Sequence, residues 1–170
     1  AAHSLETVAD LSKSVPLKDA AALSFYANKN ITSGGEGGAL ATNDIDIANK
    51  VRQLSLHGMS KDGWKRFSVR GKWEYDVSKL GYKYNMTDIS ASFGLDQLNN
   101  IHTWHSRRVQ IAKRYQTKLG NMDGIELPTH DSEYLHAWHL FVIRVTQSKW
   151  RISRNQLIVE LSERGVGTSV

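Results

Sequence analysis

Ser24-Phe25-Tyr26-Ala27-Asn28-Lys29-Asn30-Ile31-Thr32-Ser33-Gly34-Gly35-Glu36-Gly37-Gly38 decides the reading of this chain. A short apolar run leads into one lysine, and four glycines fall in the next nine positions. Lysine forms imines with carbonyl groups, and glycine allows sharp turns and close approach of a bulky ligand. A strand that delivers one amine to a glycine-lined site points to covalent attachment of a cofactor. Taken alone the pattern is weak, because most lysines are solvated surface charges and a Gly-Gly pair is commonly only a turn. A protonated amine cannot attack a carbonyl, so a nucleophilic lysine needs partial burial or a neighbouring cation. Ser24 precedes Lys29 by five residues. An extended stretch of that length spans at most ~18 Å, so both reach one ligand only if the chain bends, and Ala27 and Asn28 are placed to bend it. Ser24 reads equally well as a strand serine bonded to backbone.

Outward from this stretch the pattern alternates helix and strand. Residues 22–27 and 39–42 read as short strands, joined through the glycines into a strand–turn–strand unit. Asp44 or Asp46 caps a helix running to about His57, with Ile47, Val51 and Leu54 at helical spacing and Gly58 as its stop. Residues 60–84 are polar and aromatic without sustained periodicity, which predicts a long functional loop, or a loop with short strands; the plainer alternative is a loop packed on a partner subunit. Thr87 then caps a long helix ending near Gly120, with a kink or break expected at 102–108, where its apolar stripe loosens. Residues 140–146 read as a strand. Ser153 and Gln156 form a capping-box pattern ahead of Leu157, Ile158 and Leu161, and 166–170 start another strand. The fold class is α/β, closing in an α+β unit.

Composition bounds the function. The 170 residues are 40% hydrophobic and 23% charged, near globular averages and unlike a disordered tail. No apolar run approaches the ~18 residues of a membrane helix, and the first residues lack the pattern of a signal peptide. With no cysteine there is neither a disulfide framework nor a thiolate metal site, which is compatible with a cytoplasmic location. The net charge of +5 gathers most densely from Arg107-Arg108 to Lys118, which reads as a solvated helix face rather than a nucleic-acid surface. His136 and His139 flank Trp138 at a spacing that can hold a metal, but no third ligand accompanies them, so they read as packing or backbone-bonded residues and no metal is expected. His102 and His105 read as surface residues. There is no Ser-His-Asp triad and no GxGxxG after a strand.

Five further blocks join the opening stretch in order. Ala2-His3-Ser4 precedes it. His57-Gly58-Met59-Ser60-Lys61-Asp62, Gly81-Tyr82-Lys83-Tyr84-Asn85-Met86-Thr87-Asp88-Ile89, His136-Ala137-Trp138-His139-Leu140-Phe141 and Arg164-Gly165-Val166-Gly167-Thr168-Ser169 follow. Together they resemble the DegT-type nucleotide-sugar aminotransferases over nearly the whole chain, most nearly the branch handling 4-keto sugars of the 4-amino-4-deoxyarabinose type. The resemblance implies a fold-type-I, pyridoxal 5′-phosphate-dependent enzyme. Residues 1–86 would belong to its large domain, with an interface loop. Residues 87–119 would form a linking helix, and 120–170 would begin the small domain. It implies that Lys29 holds the cofactor as a Schiff base, that Ser24 bonds its phosphate and that His3 lies near its ring hydroxyl. The family's aspartate for the pyridine nitrogen would stand immediately before Ala1, which marks the chain as an internal piece of a longer enzyme. Many relatives read Gly-Tyr-Asn-Tyr-Arg-Met where this chain has Gly81-Tyr82-Lys83-Tyr84-Asn85-Met86. Their first asparagine reaches the phosphate of a neighbouring subunit, and Lys83 at that place could meet it as a point charge, with Asn85 beside it.

The expected activity is transfer of an amino group, with glutamate as donor, to a nucleotide-linked keto-sugar in cell-envelope or antibiotic sugar biosynthesis, by a homodimer that binds neither nucleic acid nor membrane. A sugar dehydratase of the same family is the alternative, although those enzymes carry histidine at the position of Lys29. A basic binding or regulatory fragment and a catalytically inactive dimerisation piece are the readings from outside enzymology. The first predicts salt-sensitive binding without a spectral response to pyridoxal phosphate, the second self-association that survives Lys29→Ala.

Overall fold

The computed structural model describes residues 20–60, 75–129 and 136–170. The chain divides into two compact units between Thr103 and Trp104.

In the first unit β1 (Ala21–Ser24) pairs antiparallel with β2 (Gly38–Ala41), in the register Ala21 to Ala41 through Ser24 to Gly38. The loop between them carries Lys29. Helix α1 (Ile45–Ser55) begins where the Asp44 carboxylate accepts the N–H groups of Asp46 at 2.8 Å and Ile47 at 3.1 Å, satisfying donors that the first turn leaves without partners. Ile47 and Leu54 are half-buried.

The far end of α1 is finished by a distant segment. Tyr82 and Tyr84 donate their N–H groups to the carbonyls of Leu54 at 2.7 Å and Ser55 at 2.8 Å, while the N–H of His57 returns to the Tyr82 carbonyl at 2.8 Å. A second rung follows: Ser60 donates to the Asp76 carbonyl at 2.8 Å, and Met59 faces Val77 in an antiparallel bridge. The described part of the expected loop at 60–84 therefore carries short strand-like pairing. Gly58, at φ +72°, sits where any Cβ would collide with the Lys79 carbonyl. Leu56 and Met59 are buried there, at 7% and 3% exposure.

Thr87 caps α2 (Asp88–Asn99) through its hydroxyl, which accepts from the N–H of Ser90. The helix then stops. The single helix expected from Thr87 to Gly120 is interrupted at Asn100, earlier than the loosening at 102–108 suggested, and α3 (Ile101–Leu119) follows at once. The Asn100 amide donates to the Asp96 carbonyl at 2.9 Å, so a side chain competes with backbone for a helical acceptor. The stripe expected to face a core is uneven: Ile101 is 2% exposed, whereas Ile89, Phe93 and Leu95 are open to solvent.

In the second unit β3 (Ile125–Glu126) pairs antiparallel with β4 (Arg144–Val145). The strand expected over 140–146 is thus confined to two residues, because its described partner offers only two. After a single 3-10 turn (Gln147–Lys149), α4 (Arg154–Glu163) opens with the expected capping box. The Ser153 hydroxyl accepts from the Gln156 N–H at 3.2 Å, and the Gln156 side chain accepts from the Ser153 N–H at 2.9 Å. The strand expected over 166–170 does not form: these residues are exposed and pair with no described strand, and an unpaired strand has little stability of its own.

Candidate active site

Tyr26 organises the loop between β1 and β2. Its N–H reaches the Ser24 hydroxyl oxygen at 3.4 Å, and its carbonyl accepts the Lys29 N–H at 2.9 Å. The second bond closes a turn over Ala27 and Asn28, the bend needed to bring Ser24 and Lys29 to one end of β1. Ala27 and Asn28 are exposed, Lys29 is half-buried, and Asn30 and Ile31 are buried at 6% and 5% exposure. Lys29 thus stands where an open turn meets an anchored segment. Ser24 is half-buried and, among the described residues, accepts the long bond from Tyr26. The bond to backbone fits the reading of Ser24 as a strand serine.

The return of the loop is fixed by three contacts. Tyr26 forms a parallel bridge with Gly35, Phe25 donates to the Gly37 carbonyl at 2.8 Å, and Ser33 donates to the Phe25 carbonyl at 3.0 Å. Ser33 is 2% exposed, and a Cβ on Gly37 would run into its hydroxyl. Neither the burial of Ser33 nor its tie to Phe25 is visible in the sequence, where it reads as one more polar residue ahead of glycines.

Lys83 and Asn85 come together elsewhere in this unit, on the segment that finishes α1. The Lys83 ammonium donates to the Asn85 side-chain oxygen, and Leu56 bridges Lys83 antiparallel. Lys83 is exposed and Asn85 half-buried, so the cation faces outward from its own hairpin. His3 lies outside the described residues.

The second unit corrects two expectations. His105 is half-buried, not a surface residue, and its Nε2 donates to the His136 carbonyl at 3.0 Å. The basic face is not uniformly solvated: Arg107, Lys113, Arg114 and Lys118 are exposed, but Arg108 is half-buried, with Nη1 sealed from solvent and without a hydrogen-bond partner among the described residues. Burial lowers the Arg108 pKa from its ordinary value, because desolvation penalises the charged form. It borders a cleft of about 260 Å³ with Ile111, Tyr115, Trp138, His139 and Phe141. His136 behaves as a backbone-bonded histidine: its Nδ1 accepts the Trp138 N–H at 3.1 Å, and the two rings lie 4.2 Å apart.

The model of the DegT/DnrJ/EryC1/StrS aminotransferase family matches residues 1–170. The chain belongs to this family. It is 44% identical over 171 residues to SpsC of Bacillus subtilis, a spore coat polysaccharide biosynthesis protein, and spans 44% of that protein's length. Among solved structures it resembles the aminotransferase TlmJ of Streptoalloteichus hindustanus, with TM-score 0.76, 29% identity, and coverage of 91% of this chain and 38% of TlmJ. It also resembles Spr1654 of Streptococcus pneumoniae in its PLP form, with TM-score 0.74, 33% identity, and coverage of 89% and 37%. Spr1654 has likewise been solved in a PMP form. The described elements are therefore part of the mixed helix-and-strand fold of the sugar aminotransferases, a family that works with pyridoxal phosphate.

Proposed function

We propose that the intact protein is a pyridoxal-phosphate-dependent aminotransferase that converts a nucleotide-linked keto-sugar to the amino sugar, with glutamate as donor. The observation that carries this reading is the pair of bonds at Tyr26, from its N–H to the Ser24 hydroxyl oxygen and to its carbonyl from the Lys29 N–H, which bring the two residues to the same end of β1. Lys29 Nζ is the point of covalent attachment and the base that moves the proton at the reacting carbon. The Ser24 hydroxyl donates to the cofactor phosphate. When bound, pyridoxal phosphate supplies the electron sink for the carbon whose amino group is exchanged. The residues present fit it: a half-buried lysine, a half-buried serine at the same end of β1, and an open face at Gly35, where an added Cβ would meet nothing within 4 Å. His3 completes the proposed set near the ring hydroxyl.

The assembly we propose is a homodimer in which Lys83, with Asn85 holding its ammonium, reaches the cofactor phosphate of the neighbouring subunit. The uncovered apolar side chains of Leu80 (96% exposed), Tyr84 (74%) and Ile89 (74%) support a partner surface at this segment. Residues 1–86 then belong to the large domain, 87–119 link it onward across the break at Asn100, and 120–170 begin the small domain. The polysaccharide pathway in the name of SpsC supports an amino sugar destined for a cell-envelope polymer.

Adding glutamate to the cofactor-loaded intact protein tests the reading. The visible absorbance of the covalent form should give way to that of the amine form. A sugar dehydratase leaves the band unchanged under glutamate, and that result contradicts the proposal.

A further inference from the structure

We infer that Ser33 is a positioning residue for Lys29, a role that rests on Lys29 being the cofactor lysine. Ser33 is a polar residue at 2% exposure, and such a residue persists in a core only when its hydrogen bonds are made. Its N–H donates to the Phe25 carbonyl at 3.0 Å. Its hydroxyl donates to the Glu36 carbonyl at 2.9 Å, with the Phe25 carbonyl as a second acceptor at 3.4 Å. One residue therefore joins the exit of β1 to the glycine turn. The excursion between these two walls is residues 26–32, with Lys29 at its middle.

The burial along this excursion gives the bond its consequence. Residues 26–28 are exposed, and on that side the Lys29 N–H is tied to the Tyr26 carbonyl. Asn30, Ile31 and Ser33 are buried, so the position of the Lys29 backbone is set from its C-terminal side. Ile31 is held by packing, which tolerates small slides. The Ser33 hydroxyl is held by direction, because a hydrogen bond weakens steeply when misaligned. Removing that hydroxyl leaves the Ser33 N–H bond and the buried Ile31 in place, so the loop keeps its path. It leaves the Glu36 carbonyl without its donor and lets the glycine wall shift about its remaining ties, the Phe25–Gly37 bond and the Tyr26–Gly35 bridge. Gly37 packs against the same hydroxyl, so this movement reaches the strand pairing at Gly38.

The test compares the intact wild-type protein with Ser33→Ala and Ser33→Thr, each stripped of cofactor and then given pyridoxal phosphate. Three quantities are read: the rate of covalent attachment, the pH midpoint of the visible band, and amide hydrogen exchange over residues 26–32 before cofactor is added. Ser33→Ala should attach cofactor about tenfold more slowly, as small misplacements of a reacting group do. It should also shift the midpoint and exchange faster across 26–32. Ser33→Thr keeps the hydroxyl and should stay near wild type in all three. Wild-type behaviour of Ser33→Ala overturns the inference. So does equal damage from both substitutions, or slowing that tracks a fall in thermal midpoint alone. If the wild-type protein takes no covalent label at Lys29, the functional reading fails separately, and the exchange measurement still decides whether Ser33 orders this loop.

Discussion

The Lys29 N–H donates to the Tyr26 carbonyl at 2.9 Å, so the residue that ends the exposed turn is also the one that carries the candidate amine. The bond is backbone to backbone and tolerates many side chains at Ala27 and Asn28. It cannot tolerate loss of the Lys29 N–H or of the compact return at Gly37. The proposed chemistry therefore leans on packing behind the loop more than on its tip.

Gly37→Ala places a methyl group against the Ser33 hydroxyl and close to Met86. Overpacking of this kind costs about 1–3 kcal/mol, and turning the hydroxyl aside sacrifices its bond to Glu36. Urea unfolding should show a loss in that range. The same substitution made on a Ser33→Ala background should cost less, because the two sites are in contact and their effects do not add.

Gly58→Ala should be the more damaging glycine change. Its φ of +72° is strained for alanine, and the new Cβ meets a backbone carbonyl, that of Lys79, which has no rotamer to change. The bonds from Tyr82 and Tyr84 to the end of α1 share this segment. Hydrogen exchange at those two amides should rise together with the loss of stability.

Ser153→Ala removes one half of the capping box of α4. N-cap losses of this type cost typically ~1 kcal/mol. Gln156→Ala removes the reciprocal bond and should cost less, because the Ser153 N–H it leaves is exposed and open to water. Denaturant midpoints of the two variants check the order.

Lys149 donates to Asp123 at 2.5 Å, and this bond is the largest cause holding the Asp123 carboxyl below its ordinary value. A carboxyl depressed in the folded state adds stability above its unfolded pKa of ~3.9. That contribution is lost as pH falls through the lower folded value. Both side chains are exposed, so the effect is small. Titration followed by NMR should find Asp123 returning toward the ordinary range in Lys149→Ala, with a small loss of stability at neutral pH that vanishes as pH falls through the wild-type Asp123 value.

Local signals were the legible ones. Asp44, Thr87 and Ser153 announced three helix starts because an N-cap acts within three residues of itself. The bend at Ala27-Asn28 followed from the distance between Ser24 and Lys29. What stayed hidden depends on residues far apart in sequence. Tyr82 and Tyr84 close α1 from across the chain, His105 bonds a carbonyl 31 positions away, and the strand at 140–146 shrinks to the length of its partner. Ile89 and Phe93 have the spacing of core residues yet lie open, since periodicity identifies an apolar face without saying which surface covers it. The candidate site divides the same way: the sequence marked Lys29 and Ser24 as candidates, whereas the burial of Ser33 and the bond between Lys83 and Asn85 required coordinates.

The covalent role of Lys29 is tested most directly by borohydride reduction of the cofactor-loaded intact protein, followed by peptide mapping. The account predicts one pyridoxyl label, on Lys29, and none there in Lys29→Ala, which should also lose the visible band. A label on another lysine, or a covalent band that survives Lys29→Ala, contradicts it.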